Sequence, residues 1–333
     1  MLVAYEDHRL CDLLEYGFPL DYKGAAQPGI TTYKNHKGAR DHEPFLNEYF
    51  LRETALGRIM GPFDKNPLTS PLAISPLNTV PKAESNEQRV IVDLSFPPGA
   101  SINEGISKTM YLGESINLTF PTIDRIAALV WENGRGCHIY KRDLAHAYRQ
   151  FSIDPGDWKY LGYNFGNKFY IDTVLCMGQR NAAAACQRAT SALAWVHRNR
   201  GFGLENYLDD MIGVERKDRS LLAYDELGVL LTKLGLEEKL LKACPPATEQ
   251  MVLGIEINTE RMTLRISDTR MGEKKGLLNE WGLKTMTTLK ELQSLIGKLA
   301  FISKCVLSSR VFMNRLLCTL RAASNDTPIP LSV

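Results

Sequence analysis

The sequence has no apolar run long enough to cross a bilayer: its longest, such as residues 126–131 and 182–186, fall far short of the roughly 20 residues a membrane helix needs. It also lacks the basic start and apolar centre of a signal peptide, because Glu6, Asp7, His8 and Arg9 stand within its first turns. These two absences lead us to expect no membrane partner and an intracellular protein, cytoplasmic or nuclear. Cysteine shows no pairing pattern. The seven cysteines (Cys11, Cys137, Cys176, Cys186, Cys244, Cys305 and Cys318) are odd in number and nowhere spaced as C-x-x-C, which argues against both a disulfide framework and a zinc site. There is no repeat and no low-complexity segment.

What is there suits a globular protein. With 333 residues, 44% of them hydrophobic, the chain can bury the cores of two or three domains. The net charge of +2 is unremarkable, but residues 261–321 hold twelve Lys or Arg against four Asp or Glu. Positive charge gathered at that end suits a polyanionic partner.

Proline and glycine divide the chain into parts. Residues 2–71 have mixed helical patterning, with a helix predicted over 42–59 that ends at Gly61-Pro62, and carry no recognisable chemistry. Residues 77–81 and 89–93 are β-rich and flank a polar stretch at 83–87, which predicts a hairpin with an exposed, mobile turn. A helix follows over 121–132, with Ile123, Ile126, Ala127 and Val130 at core-facing spacing, and after a Gly-rich break at residues 134–136 a strand over 138–142 runs into Asp143. Residues 159–174 read as a second hairpin and 181–198 as an Ala-rich helix stopped by Gly201. Strands over 204–208 and 211–214 enclose Asp209-Asp210 at a tight turn; a helix over 220–234 and a strand over 251–258 come next. Near the end, Leu289, Leu292, Leu295, Ile296, Leu299 and Ile302 share a helical face that Thr288 and Glu291 open with a capping box.

Three aspartates therefore fall at strand ends. Crowded carboxylates repel one another unless a cation sits between them. Hard oxygen ligands suit Mg²⁺, and two such ions about 3.5–4 Å apart can activate an attacking hydroxyl and stabilise the leaving oxygen of an in-line displacement. That is the chemistry of nucleotidyl transfer.

Asp143-Leu-Ala-His-Ala-Tyr148 and Tyr207-Leu-Asp-Asp210 resemble, in this order, the first palm motif and the Y-x-D-D hairpin of the reverse transcriptases. Between them, residues 175–188 resemble the family's substrate-binding motif. Gly178 and Gln187 are kept there, while Cys176, Ala183 and Cys186 depart from the usual Pro, Pro and Phe. Upstream, Lys82 and Arg89 keep the seven-residue spacing of the fingers hairpin that embraces a triphosphate, and residues 253–258 resemble the primer-grip hairpin. The likeness covers roughly residues 71–321, and the wording of 252–258 and 292–298 is most similar to tyrosine-recombinase retrotransposons of the DIRS kind.

The resemblance implies an α+β right-hand polymerase fold with fingers (71–103 and 151–173), a palm of antiparallel sheet plus helices, and a helical thumb (259–322). Residues 1–70 would form an N-terminal extension, 71–258 the fingers and palm, and 323–333 a tail. It implies catalytic Asp143, Asp209 and Asp210, which with the Leu144 carbonyl would hold two Mg²⁺ ions, Mn²⁺ being a possible substitute. Lys82, Arg89, Leu144, Tyr148, Met177, Gly178 and Lys242 would bind the nucleotide; Lys239 competes with Lys242 for the role of proton donor to the leaving pyrophosphate. The implied partners are an RNA or DNA template with its primer and deoxynucleoside triphosphates. Two alternatives stand beside this reading: an RNA-templated RNA polymerase, disfavoured because Tyr148 sits where the family places a bulky gate beneath the sugar, and a non-catalytic module that binds nucleic acid or partner proteins, for which the altered third motif argues and against which the three retained aspartates argue.

Overall fold

The computed structural model describes residues 2–24, 32–82, 87–306, 308–323 and 328–331. The chain divides into two compact units. One comprises Met1–Phe120, Arg142–Met211 and Leu227–Lys242; the other comprises Pro121–Lys141, Ile212–Glu226 and Ala243–Val333. In the second unit Cys244–Ala247 pairs antiparallel with His138–Asp143, through Cys244 with Lys141 and Ala247 with Ile139. Helices and antiparallel sheets make the fold α+β.

In the first unit the helix predicted over 42–59 is shorter, Glu43–Ala55, and Ile59–Phe63 is a strand paired antiparallel with Lys168–Asp172. Gly57, at φ +70, turns the chain out of the helix, and the backbone of Ile59, itself 2% exposed, finds ladder partners instead. Lys168–Asp172 also pairs with Gly162–Phe165, the predicted second hairpin. Phe50 of the helix stacks on Tyr170, ring centroids 4.6 Å apart, and on Tyr163 at 5.7 Å, so the N-terminal residues are part of this core. The first predicted hairpin forms from Leu77–Pro81 and Gln88–Val92; residues 83–86 of its turn lie outside the described residues. Its buried face carries Leu77, Thr79 and Val92, and His42 reaches it through Nδ1 at 2.8 Å from Thr79 Oγ1.

In the second unit the helix Ile123–Asn133, capped by Thr122, lays Ile126 and Val130 into a core with Ile139, Ile212, Val214, Ile255 and Ile257. The strand predicted over 251–258 is instead two, Glu249–Val252 and Ile255–Asn258. Leu253 and Gly254 between them have φ +48 and +81, the positive pair that a tight two-residue hairpin turn requires. Helices Asp268–Gly282, Leu289–Ile302 and Ser309–Ala322 follow, and Leu292, Ile296 and Met313 share a small core. Both halves of the Thr288–Glu291 capping box are formed. No described helix is long and apolar enough to cross a membrane.

Candidate active site

Strand His138–Asp143 ends on a carboxylate that is 4% exposed. Backbone bonds fix that end on two sides. The Leu144 N–H donates to the Asp209 carbonyl at 3.1 Å, while the Lys239 N–H donates to the Asp143 carbonyl at 2.7 Å and the Ala145 N–H to that of Glu237 at 2.9 Å. Segment 237–239 is held further by Arg142, whose Nη1 donates to Glu238 Oε1 at 2.7 Å, and by the Gln150 amide, which donates to the Ala145 and Glu237 carbonyls and accepts from the Glu237 N–H.

That segment delivers Lys242. Its ammonium lies 2.7 Å from Asp143 Oδ2, a buried oxygen that accepts no other aligned hydrogen bond among the described residues. The competing Lys239 meets Asp143 through its backbone N–H, so the two lysines have different parts.

The Y-x-D-D turn is held in a sparsely populated conformation. Leu208 has φ +53, which costs a non-glycine residue roughly 1–3 kcal/mol and persists where surroundings enforce it. The enforcing group is Gln187 of helix Ala182–Asn199: its Oε1 accepts from the Leu208 N–H at 2.8 Å and its Nε2 donates to the Asn206 carbonyl at 3.3 Å. Asp209 is half-buried there, and burial, then the charge of Asp143, pushes its pKa up to about 6. Lys242 is shifted upward too, first by its bond to Asp143 and also by the charges of Asp210 and Asp209. The three sequence-predicted carboxylates therefore feel one another in one place, with Lys242 among them.

Asp143, Asp209, Asp210 and the Leu144 carbonyl are the groups that could hold a hard cation. Among the described residues no three His, Cys, Asp or Glu side chains are already arranged to hold a metal ion. Two carboxylates with waters and substrate phosphates satisfy Mg²⁺, and the buried Oδ2 of Asp143 faces a cation, Lys242, already. The donor set fits such an ion.

Tyr148, in the short 3-10 helix Ala147–Gln150, has its phenol pushed up to about 12 by burial, and it feels Asp209, Arg89 and Tyr207. Arg89 pairs with Val80 across the hairpin, and pairing parity places Lys82, Val80, Arg89 and Glu87 on one face. That face is the more open one, and Lys82 is ion-paired with Glu87 on it. In the third motif, a Cβ on Gly178 would stand 1.9 Å from the Val92 carbonyl oxygen, whereas the Val92 N–H donates to the Met177 carbonyl at 3.0 Å. Gly178 thus permits the hairpin of Leu77–Pro81 and Gln88–Val92 to seat on residues 177–178. Cys176 and Cys186 are fully buried, and burial pushes the Cys186 thiol up to about 12.

This arrangement belongs to a known architecture. The structure is similar to a foamy viral protease–reverse transcriptase solved with double-stranded DNA, at TM-score 0.67 and 16% identity over 93% of this chain and 48% of that one. The fold is that of a reverse transcriptase. A second foamy viral structure with double-stranded DNA gives 0.64 and 15% over 95% and 58%, and a third, with an RNA/DNA hybrid, 0.61 and 16% over 95% and 38%. The chain spans about half the length of the solved reverse transcriptases it resembles. No protein-family model matches the sequence, and no curated protein does.

Several residues that the sequence leaves without a partner are bonded around the Leu208 turn. Gln187 was recognisable as a kept motif position, but its bonds to the Leu208 turn span a loop and a helix. Asp7, bonded to Arg188 Nη2 at 2.6 Å, and the Leu20 carbonyl, which accepts from Asn181 Nδ2 at 3.0 Å, tie the N-terminal residues to the helix that holds the turn. No local pattern in one sequence announces such pairs.

Proposed function

We propose that this chain is a template-directed DNA polymerase, extending a primer on RNA or DNA with deoxynucleoside triphosphates. The observation that carries the reading is the meeting of Asp143, Asp209 and Lys242 within one unit of a reverse transcriptase fold. Asp143, Asp209, Asp210 and the Leu144 carbonyl would hold Mg²⁺, which when bound lowers the pKa of the primer hydroxyl and stabilises charge on the departing phosphate. Burial and the charge of Asp143 penalise the ionised Asp209, which supports a site that takes a further cation.

The other residues bind, orient and move protons. Lys82 neutralises a phosphate as a point charge and Arg89 grips one with two parallel donors, from one face of the hairpin. Tyr148 lies beneath the sugar and excludes a 2′-hydroxyl. Lys242 Nζ, released from Asp143, gives a proton to the pyrophosphate oxygen. In this reading 71–258 are the fingers and palm and 259–322 the thumb, whose basic residues hold the nucleic-acid backbone. The wording of residues 252–258 and 292–298, similar to that of tyrosine-recombinase retrotransposons of the DIRS kind, supports a retrotransposon origin.

Primer extension on an RNA template with Mg²⁺ and all four deoxynucleotides tests the reading. Extension that needs the divalent ion supports it; tight primer-template binding without any extension would leave a nucleic-acid-binding module instead.

A further inference from the structure

Arg149 follows Tyr148 directly, and its guanidinium is buried, at 8% exposure for the residue. Its Nε donates to Glu53 Oε2 at 2.9 Å, its Nη1 to Asp172 Oδ1 at 2.6 Å and its Nη2 to the Arg58 carbonyl at 3.3 Å. Glu53 and Asp172 are 1% and 2% exposed, and the Tyr49 ring lies 5.9 Å from the guanidinium carbon. The three charged groups come from three separate segments: the N-terminal helix Glu43–Ala55, the strand Lys168–Asp172 and the 3-10 helix Ala147–Gln150. All lie in the first unit.

Such a cluster is a poor way to gain stability. Removing charges from water costs several kcal/mol per ion, and apolar residues of equal volume often serve as well or better. What a guanidinium between two carboxylates does provide is direction, since its donors form a rigid planar fork. Consecutive Cα atoms are about 3.8 Å apart, so an anchor on Arg149 also restrains the backbone of Tyr148. Tyr148 is the residue whose placement matters most, because exclusion of a hydroxyl by contact changes steeply over ~1 Å.

We propose that Glu53 and Asp172, acting through Arg149, are positioning residues that set the height of the Tyr148 ring and so the discrimination between deoxy- and ribonucleotides. The inference rests on the proposed function for its catalytic consequence. It gives the N-terminal helix, which reads as chemically silent in the sequence, a part in substrate choice. Glu53 never touches the nucleotide; it fixes the turn on which the contact residue stands.

Two measurements on the full chain test this, one independent of activity. In protein carrying 3-fluorotyrosine, the ¹⁹F signal of residue 148 is assigned by its loss in Tyr148→Phe. We expect that signal to shift or broaden in Glu53→Ala, to be largely restored in Glu53→Gln, which keeps an acceptor for the Arg149 Nε, and to stay put in Leu72→Ala, which opens a core elsewhere in the same unit. A signal unchanged in Glu53→Ala overturns the inference whether or not the protein polymerises. The second measurement is the ratio of kcat/KM for dGTP over GTP. Glu53→Ala should lower it at least fivefold, Leu72→Ala should slow both nucleotides without changing it, and Glu53→Ala should have no further effect on the ratio in a Tyr148→Val background. Equal slowing of both nucleotides by Glu53→Ala would reduce the cluster to a packing role. A wild type inactive with dGTP would instead remove the proposed function, leaving the ¹⁹F result to decide the positioning.

Discussion

The Lys242 ammonium stands 2.7 Å from Oδ2 of Asp143, on an oxygen suited to a metal ion. One cation has to leave before another can bind there, so lysine and divalent ion compete. We expect Lys242→Met to tighten Mn²⁺ binding several-fold in the absence of nucleotide while slowing polymerisation. Lys239→Met removes the same charge from the same segment and should change the affinity less. Titration calorimetry compares the three proteins, and equal metal affinities in wild type and Lys242→Met would refute the competition.

The raised Asp209 pKa makes a statement about stability. An unfolded Asp titrates near ~3.9, and the folded carboxyl at about 6. Between those values the native state holds more protons than the unfolded one, so in a chelator stability falls as pH rises through the window, by on the order of 3 kcal/mol. Asp209→Asn lacks this penalty. Urea denaturation in the presence of chelator should find the variant more stable than wild type at pH 7, with the gap closing toward pH 4. A gap that does not depend on pH would mean that Asp209 is not strained by its neighbours.

Gln187 satisfies the Leu208 N–H and holds the left-handed turn beside Asp209. Gln187→Leu keeps roughly the volume and leaves both backbone partners unbonded, which costs about 1–3 kcal/mol for each buried group. Polymerisation should fall at least tenfold through kcat, with primer-template affinity little changed. Steady-state kinetics beside a filter-binding titration separates the two, and a wild-type kcat would show that the turn keeps its shape unaided.

These residues divide into those legible in the sequence and those that were not. The placement of Asp143, Asp209 and Asp210 at strand ends could be read because Asp143 closes one β-rich run and Asp209-Asp210 stand between two others, and the capping box at Thr288 and Glu291 because its two partners lie three residues apart. Arg149 was opaque: its partners Glu53 and Asp172 lie 96 and 23 positions away, and no local period connects them. The helix expected to reach Gly61-Pro62 stops at Ala55 because strand Lys168–Asp172 offers residues 59–63 a ladder, a tertiary preference that overrides local propensity. Likewise, Leu253 takes a positive φ that its side chain disfavours, so the local pattern runs one strand over 251–258 and only the resemblance to the primer-grip hairpin marks a turn there.

The fingers pair makes a kinetic prediction. Each of Lys82 and Arg89 would lose a charge-assisted phosphate contact worth roughly 1.5–3 kcal/mol on truncation to alanine. The expected result is a higher KM for deoxynucleotides, by one to two orders of magnitude at that energy, with primer-template affinity retained. Unchanged nucleotide kinetics in both variants would make the hairpin purely structural.

Tyr148→Val tests the choice between DNA and RNA synthesis. The 3-10 helix after Asp143 carries Tyr148 to a half-buried position where its phenol feels the charges of both Asp209 and Arg89. In the proposed function the ring lies beneath the sugar and would leave no space for a 2′-hydroxyl, and a clash excludes by repulsion rather than by weaker attraction. Valine removes most of the ring while keeping a branched side chain that packs against the same turn. Discrimination, measured as kcat/KM for dGTP over GTP on one template, should therefore fall by one or more factors of ten, each worth about 1.4 kcal/mol of transition-state free energy. The loss should come from faster use of GTP, because the triphosphate contacts proposed for Lys82 and Arg89 would be untouched. A folded, active variant with the wild-type ratio would make Tyr148 a packing residue and move sugar selection to another part of the site.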